Sequence, residues 1–212
     1  MDVDAAAEFD RQVGTLLELD YPALAGLPAA DFAALLAPLR AGAESCGGGP
    51  ARPDRVPFVV VVPARLVPTA AAMPLTALGG RPGTVSRLLP DVERFVPTGL
   101  APAPAGGPYL LVDVDRGADF RNWTPDASLP VITRRGRSPL TVEEGVALVT
   151  HFSGTLVKNF CFSLAGSRCG DRRVPAVWIS TGAPMLGWCW AGNPHTWLGV
   201  ASCGNRVVGA AV

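Results

Sequence analysis

Apolar positions along this chain recur with a helical period near its start and with period two toward its end. Phe9, Val13, Leu16, Leu17 and Tyr21 fall on one face of a helix, and Pro22 and Gly26 interrupt the run. A second short helix starts near Pro28, a residue suited to a first helical turn, and presents Phe32, Leu35, Leu36 and Leu39. Residues 1–40 are therefore expected to form a helical hairpin docked on the main body. Residues 41–55 (AGAESCGGGPARPDR) read as a Gly/Pro-rich linker with Cys46 exposed inside it.

The remainder, residues 56–212, reads as an α+β domain. Residues 56–62 are continuously apolar and β-branched, as in a strand covered on both faces. Proline and glycine punctuate 63–108, leaving a weak helix-or-strand signal over 85–96 and a surface loop over 97–108. Residues 109–115 (YLLVDVD) form a second core strand. Thr141-Val142-Glu143-Glu144 is a capping box that opens a helix running to about Phe152, with Leu148, Val149 and Phe152 buried. Gly145 weakens that helix on propensity alone, so it is expected to lie against a sheet. His151 is expected to cap its C-terminal end, where the helix dipole favours an imidazolium. Beyond it, period two predicts strands at 160–166, 174–180, 185–190 and 196–203, with Pro175 pointing to an edge or a bulge. The expected architecture is a single domain: one mixed or antiparallel sheet, the helix 141–152 on a face, and the N-terminal hairpin at a side.

Composition changes this picture little. With 212 residues, 49% hydrophobic and 17% charged, the chain can bury one substantial core. No apolar run nears the ~20 residues of a membrane span. The acidic start has no apolar signal core, so a cytoplasmic protein is expected. There, five cysteines favour free thiols or metal ligands over a disulfide framework. The formal net charge of zero removes any general case for nucleic acid or an anionic membrane. Charge is nonetheless uneven: residues 1–40 are acidic, 134–173 are basic, and Lys158 is the one lysine beside seventeen arginines. Some of those arginines could grip a carboxylate or phosphate, which their planar fork does well. Asp113 and Asp115 could hold Mg²⁺ or Mn²⁺. Followed by Arg116-Gly117, they more commonly mark a turn closed by side-chain hydrogen bonds.

Candidate chemistry concentrates in 160–206, which holds Cys161, Cys169, Cys189, Cys203, Trp178, Trp188, Trp190, Trp197 and His195. If 186–190 and 197–203 pair as a hairpin across Ala191-Gly192-Asn193-Pro194, His195 stands at its mouth beside Cys189. Three readings stay open. In one, the cysteines are small buried hydrophobes and the tryptophans fill a thin core. In another, Cys189 is a thiolate activated by His195, in a pocket lined by Trp188, Trp190, Trp197, Asn193 and Arg168. Arg168 or Arg173 would then hold a substrate carboxylate. In the third, His195 with Cys189, Cys203 or Cys169 binds zinc or iron, although Cys-x5-His-x7-Cys matches no common zinc spacing. The leading expectation is a small-molecule enzyme or binder. The alternatives are a non-catalytic interaction module using the acidic hairpin on a protein partner, and a transition-metal protein.

The stretches PLTVEEGVALVTHF, CFSLAGSRCGDRRVPAVWIS and LGWCWAGNPHTWLGVASC resemble a family of uncharacterised bacterial proteins, frequent in high-GC actinomycetes and known only as a domain of unknown function. The N-terminal EFDRQVGTLLELDYPALAGL and VPFVVVV extend the resemblance over most of the chain, leaving out 41–55 and 97–108. It implies a single-domain cytoplasmic protein and assigns no role to any residue.

Overall fold

The computed structural model describes residues 4–46, 52 and 54–209. Helix α1 (Ala5–Glu18) starts at Asp4, whose side chain accepts the Ala6 N–H at 3.0 Å, and turns Phe9, Gln12 and Leu16 inward. A one-turn helix at Tyr21–Leu24 leads to α2 (Ala29–Leu36) and then to α3 (Arg40–Ser45). The predicted hairpin is thus a longer helical wrap. The expected linker begins later than predicted, because 41–45 are helical and the half-buried Cys46 donates its thiol to the Gly42 carbonyl at 3.1 Å. Linker residues 47–51 and 53 lie outside the described residues.

In chain order the strands that build the body are β1 (Arg55–Val61), β2 (Tyr109–Asp115), β3 (Cys161–Ser163), β4 (Arg173–Ser180), β5 (Ala183–Trp190), β6 (Leu198–Val200), β7 (Ser202–Cys203) and β8 (Asn205–Val208). They form two five-stranded sheets where one was expected. In the first, β2 pairs antiparallel with β1 on one side (Val59↔Leu111) and with β7 and β8 on the other. Ser138–Pro139 extends this sheet beyond β7. In the second the order is β6, β3, β4, β5 and a short strand at Thr84–Val85, with β6 parallel to β3. The α+β class holds.

The expected hairpin between 186–190 and 197–203 is not formed. β5 pairs instead with β4 across the two-residue turn Thr181-Gly182, and β6 crosses to the far edge beside β3. Both turn residues have positive φ (50° and 79°), the geometry whose twist matches a tight antiparallel hairpin. Pro175 therefore lies in a central strand. It sits one position past the β3 ladder, where its carbonyl accepts from Leu164 at 2.7 Å and no donor is required of it.

Helices α4 (Pro125–Arg134), which the periodicity did not predict, and α5 (Val142–His151) complete the body. α5 opens on the predicted capping box and is buried on nearly every side, from Val142 through Val149. Helix α5 meets β1 on one side and β4 on the other, so both sheets close over it. Gly145 is required here: a Cβ at that position would run into the Leu164 side chain. His151 departs from expectation. Its Nε2 lies 3.1 Å from the Val60 carbonyl, and burial holds its pKa down at about 3, so it is a neutral core imidazole and not a charged cap.

Candidate functional site

Strand alternation separates the residues that the sequence grouped together. Trp188 and Trp190 alternate with Cys189 along β5 and so stand on the reverse face of the sheet. Their rings meet edge to face at 4.7 Å, and Trp188 Nε1 donates to the Leu88 carbonyl at 2.7 Å. Cys189 faces the other way, opposite Val174, buried in the core with its thiol pushed up to about 12 by desolvation. Among the described residues no hydrogen bond joins it to His195. Arg168 is engaged locally, donating to the Ala165 carbonyl at 2.9 Å and pairing with Asp126 at 3.3 Å. Arg173 is held by Asp91 and Asp171. Asn193 is exposed on the turn before Pro194.

Trp197 and His195 go elsewhere. The Trp197 ring meets Trp178 edge to face at 6.1 Å, and the His195 ring tilts against Trp197 at 5.5 Å. Trp178 comes from β4, and its indole lies over Gly187 of β5, where any Cβ would strike the ring. The two tryptophans and Ile179 wall an open cleft of about 650 Å³. Its remaining lining is Lys158 and Asn159 from the approach to β3, Cys161 at the start of β3, and Thr181 and Gly182 from the β4–β5 turn.

The chemistry of this cleft is mixed. Cys161 is buried, and desolvation raises its thiol pKa, so it presents a neutral, polarisable wall. Lys158 forms no ion pair among the described residues, leaving its ammonium available to a ligand. His195 is outside the lining and tilts against Trp197; burial lowers its pKa, which keeps the ring neutral, and its Nε2 is buried with no hydrogen-bond partner among the described residues. Asn159 adopts φ 65°, a left-handed conformation that asparagine tolerates. Sequence reasoning placed Cys161 and Trp178 among the chemistry-bearing residues of 160–206 but did not bring them together with Lys158, Asn159 and Thr181. The signal that could have found them was Thr181-Gly182 between two period-two runs, which reads as a hairpin turn.

Other polar clusters are tied up in the fold. Asp113 is clasped by Arg55 (2.7 and 2.9 Å) and by Arg137 (2.5 Å), and Asp115 accepts the Gly117 N–H at 2.6 Å. This is the turn reading of the Asp-x-Asp pair. Among the described residues no three His, Cys, Asp or Glu side chains are grouped as a metal ion would need.

No curated protein and no solved structure matches the chain. The model of a family of unknown function, DUF5701, matches residues 15–209, and the chain belongs to that family.

Proposed function

We propose that the protein binds a small ring-bearing molecule in the cleft between Trp178 and Trp197. One observation carries this reading: an open cavity of about 650 Å³ walled by two indoles, with an ammonium on its lining that forms no ion pair among the described residues. Its size falls within the range typical of small-molecule sites, which are mostly apolar with a few converging polar groups. Indole walls offer stacking surface and edge contacts to a planar ligand. The raised Cys161 and Cys189 thiols support binding over thiolate catalysis.

Ligand-observed NMR with indole, benzoate and phenyl phosphate tests this. Binding should weaken by up to about tenfold in Trp178→Ala or Trp197→Ala, the loss expected for one aromatic contact. Unchanged binding in the double variant, or no binding by any of the three, would sink the proposal. A second reading, a protein partner on the N-terminal helices, is supported by Leu17, Leu24 and Leu35, which stay exposed there. It predicts that changing all three to serine abolishes partner capture without altering the fold.

A further inference from the structure

Among the described residues, Arg116 is a charged group buried without a counter-ion. The turn that carries it is fixed on both sides: Asp115 accepts from Gly117, and the Arg116 N–H donates to the Asp54 carbonyl at 3.1 Å. Gly117, at φ 75°, passes so close to β6 that a Cβ there would enter the Val200 backbone, and one at Gly199 would enter Gly117. The Arg116 side chain is thereby sent inward and is 9% exposed. Among the described residues its side-chain polar contacts are two long ones from Nη1, to the Thr155 carbonyl at 3.3 Å and the Phe160 carbonyl at 3.4 Å, while Nε has no partner.

The other well-buried arginines differ. Arg137, Arg173 and Arg206 each hold a carboxylate between 2.5 and 2.8 Å. Among the described residues Arg116 has no carboxylate within ion-pair distance, and Asp54 and Asp115 act on it only from farther away. A second cation makes the imbalance greater. Arg121 lies 4.1 Å from the centroid of the Phe160 ring, and Arg116 lies 5.1 Å from the same centroid. The only hydrogen bond of the Arg121 side chain among the described residues is a long one to the Ala118 carbonyl at 3.4 Å. Contact with the ring offsets part of the cost of each charge. It does not replace a counter-ion for two guanidiniums that repel one another.

In the chain, Phe160 falls between Asn159 and Cys161, which with Lys158 line the cleft, although its own ring is not on that lining. Arg116 is near enough to Cys161 for its charge to act on the thiol. We propose that Arg116 and Arg121 form an oxyanion site that takes the acidic group, a carboxylate or a phosphate, of the ligand whose ring lies between Trp178 and Trp197. This rests on the cleft reading for the ring and on the unpaired guanidiniums for the acid. Guanidinium is suited to both oxyanions because its planar fork matches their oxygen spacing.

The test uses the full chain and calorimetric titration with inorganic phosphate, acetate, phenyl phosphate, benzoate and neutral benzamide. In the wild type, the better of benzoate and phenyl phosphate should bind at least about tenfold more tightly than benzamide, and that one identifies the acid. Arg121→Gln, a change at a half-buried position whose folding circular dichroism verifies, should remove that advantage and leave benzamide unchanged. Arg121→Lys should restore part of it. Trp178→Ala should weaken the ring-bearing ligands but not phosphate or acetate. Equal binding of acid and amide, or an anion affinity indifferent to Arg121→Gln, overturns the oxyanion site and leaves the cleft standing. A benzoate or phenyl phosphate response that needs Arg121 but ignores Trp178→Ala removes the cleft and leaves the oxyanion site. Absence of binding by every anion overturns the oxyanion site, and the cleft with it when benzamide also fails to bind.

Discussion

Glu144 does two jobs with one carboxylate. Its Oε2 accepts the Thr141 N–H at 2.7 Å to close the capping box, and both oxygens pair with Arg206 at 2.5 and 2.8 Å. Tyr109 donates to the same carboxylate at 2.9 Å, and burial raises the pKa of its phenol. Removing one member leaves the other charge buried and alone. Arg206→Met should therefore cost about 3–5 kcal/mol in urea unfolding, whereas converting both Glu144 and Arg206 to apolar residues should cost less. The capping half of this arrangement was legible because it spans three residues; the Arg206 half was not, because sequence distance hides it. His151 makes a pH prediction. Its folded pKa is about 3 against about 6.5 unfolded, so below pH 6.5 the unfolded chain takes up a proton that the folded chain refuses. Stability should fall on acidification from that point by up to about 1.4 kcal/mol per pH unit. Burial lowers the His195 pKa too, so His151→Gln should flatten the slope between about pH 6.5 and 5 without abolishing it. Thiol labelling reports on the cysteines: the half-buried Cys46 and Cys169 should alkylate in native protein, and Cys189 and Cys203 only on unfolding.

Among the elements, α1 closes the edge of β1 with a side chain in place of a strand. The Gln12 amide accepts from the Val60 N–H at 2.8 Å and donates to the Phe58 carbonyl at 3.2 Å, supplying the two bonds of one missing rung. The residue is fully buried, so Gln12→Ala would leave two backbone groups unsatisfied. It should cost about 2–4 kcal/mol and speed hydrogen exchange at Val60, measured by NMR. The helical period identified α1 through Phe9 and Leu16, but a glutamine on that face carries no apolar signal, so its role was invisible. The β4–β5 hairpin shows the same divide. Its strands were readable from their period, yet Gly187 gained meaning only when Trp178 was seen lying over it. Gly187→Ala should push the indole off the sheet and into the cleft, reducing ligand binding more than stability.

At the level of the whole molecule, α5 is enclosed by two sheets, and α1 is bonded to one of them. The N-terminal helices are therefore part of the cooperative unit. Deleting residues 1–20 removes Phe9, Gln12 and Leu16 from the core and should abolish the cooperative urea transition, not leave a folded remainder. Capping, helical spacing and strand alternation could be recognised along the chain because each depends on contacts within a few residues. They were enough for the α+β class, for α1, for α5 and for most of the strands. The pairing of strands was different: period two says which face a residue takes but is silent about its neighbour. Two candidate partners of β5 had similar patterns, and packing around α5 together with the close crossing of Gly117 and Gly199 sent one of them to the opposite edge. That choice placed Cys189 in the core, divided the tryptophans between two faces, and assembled a cleft from Lys158, Cys161, Trp178 and Trp197.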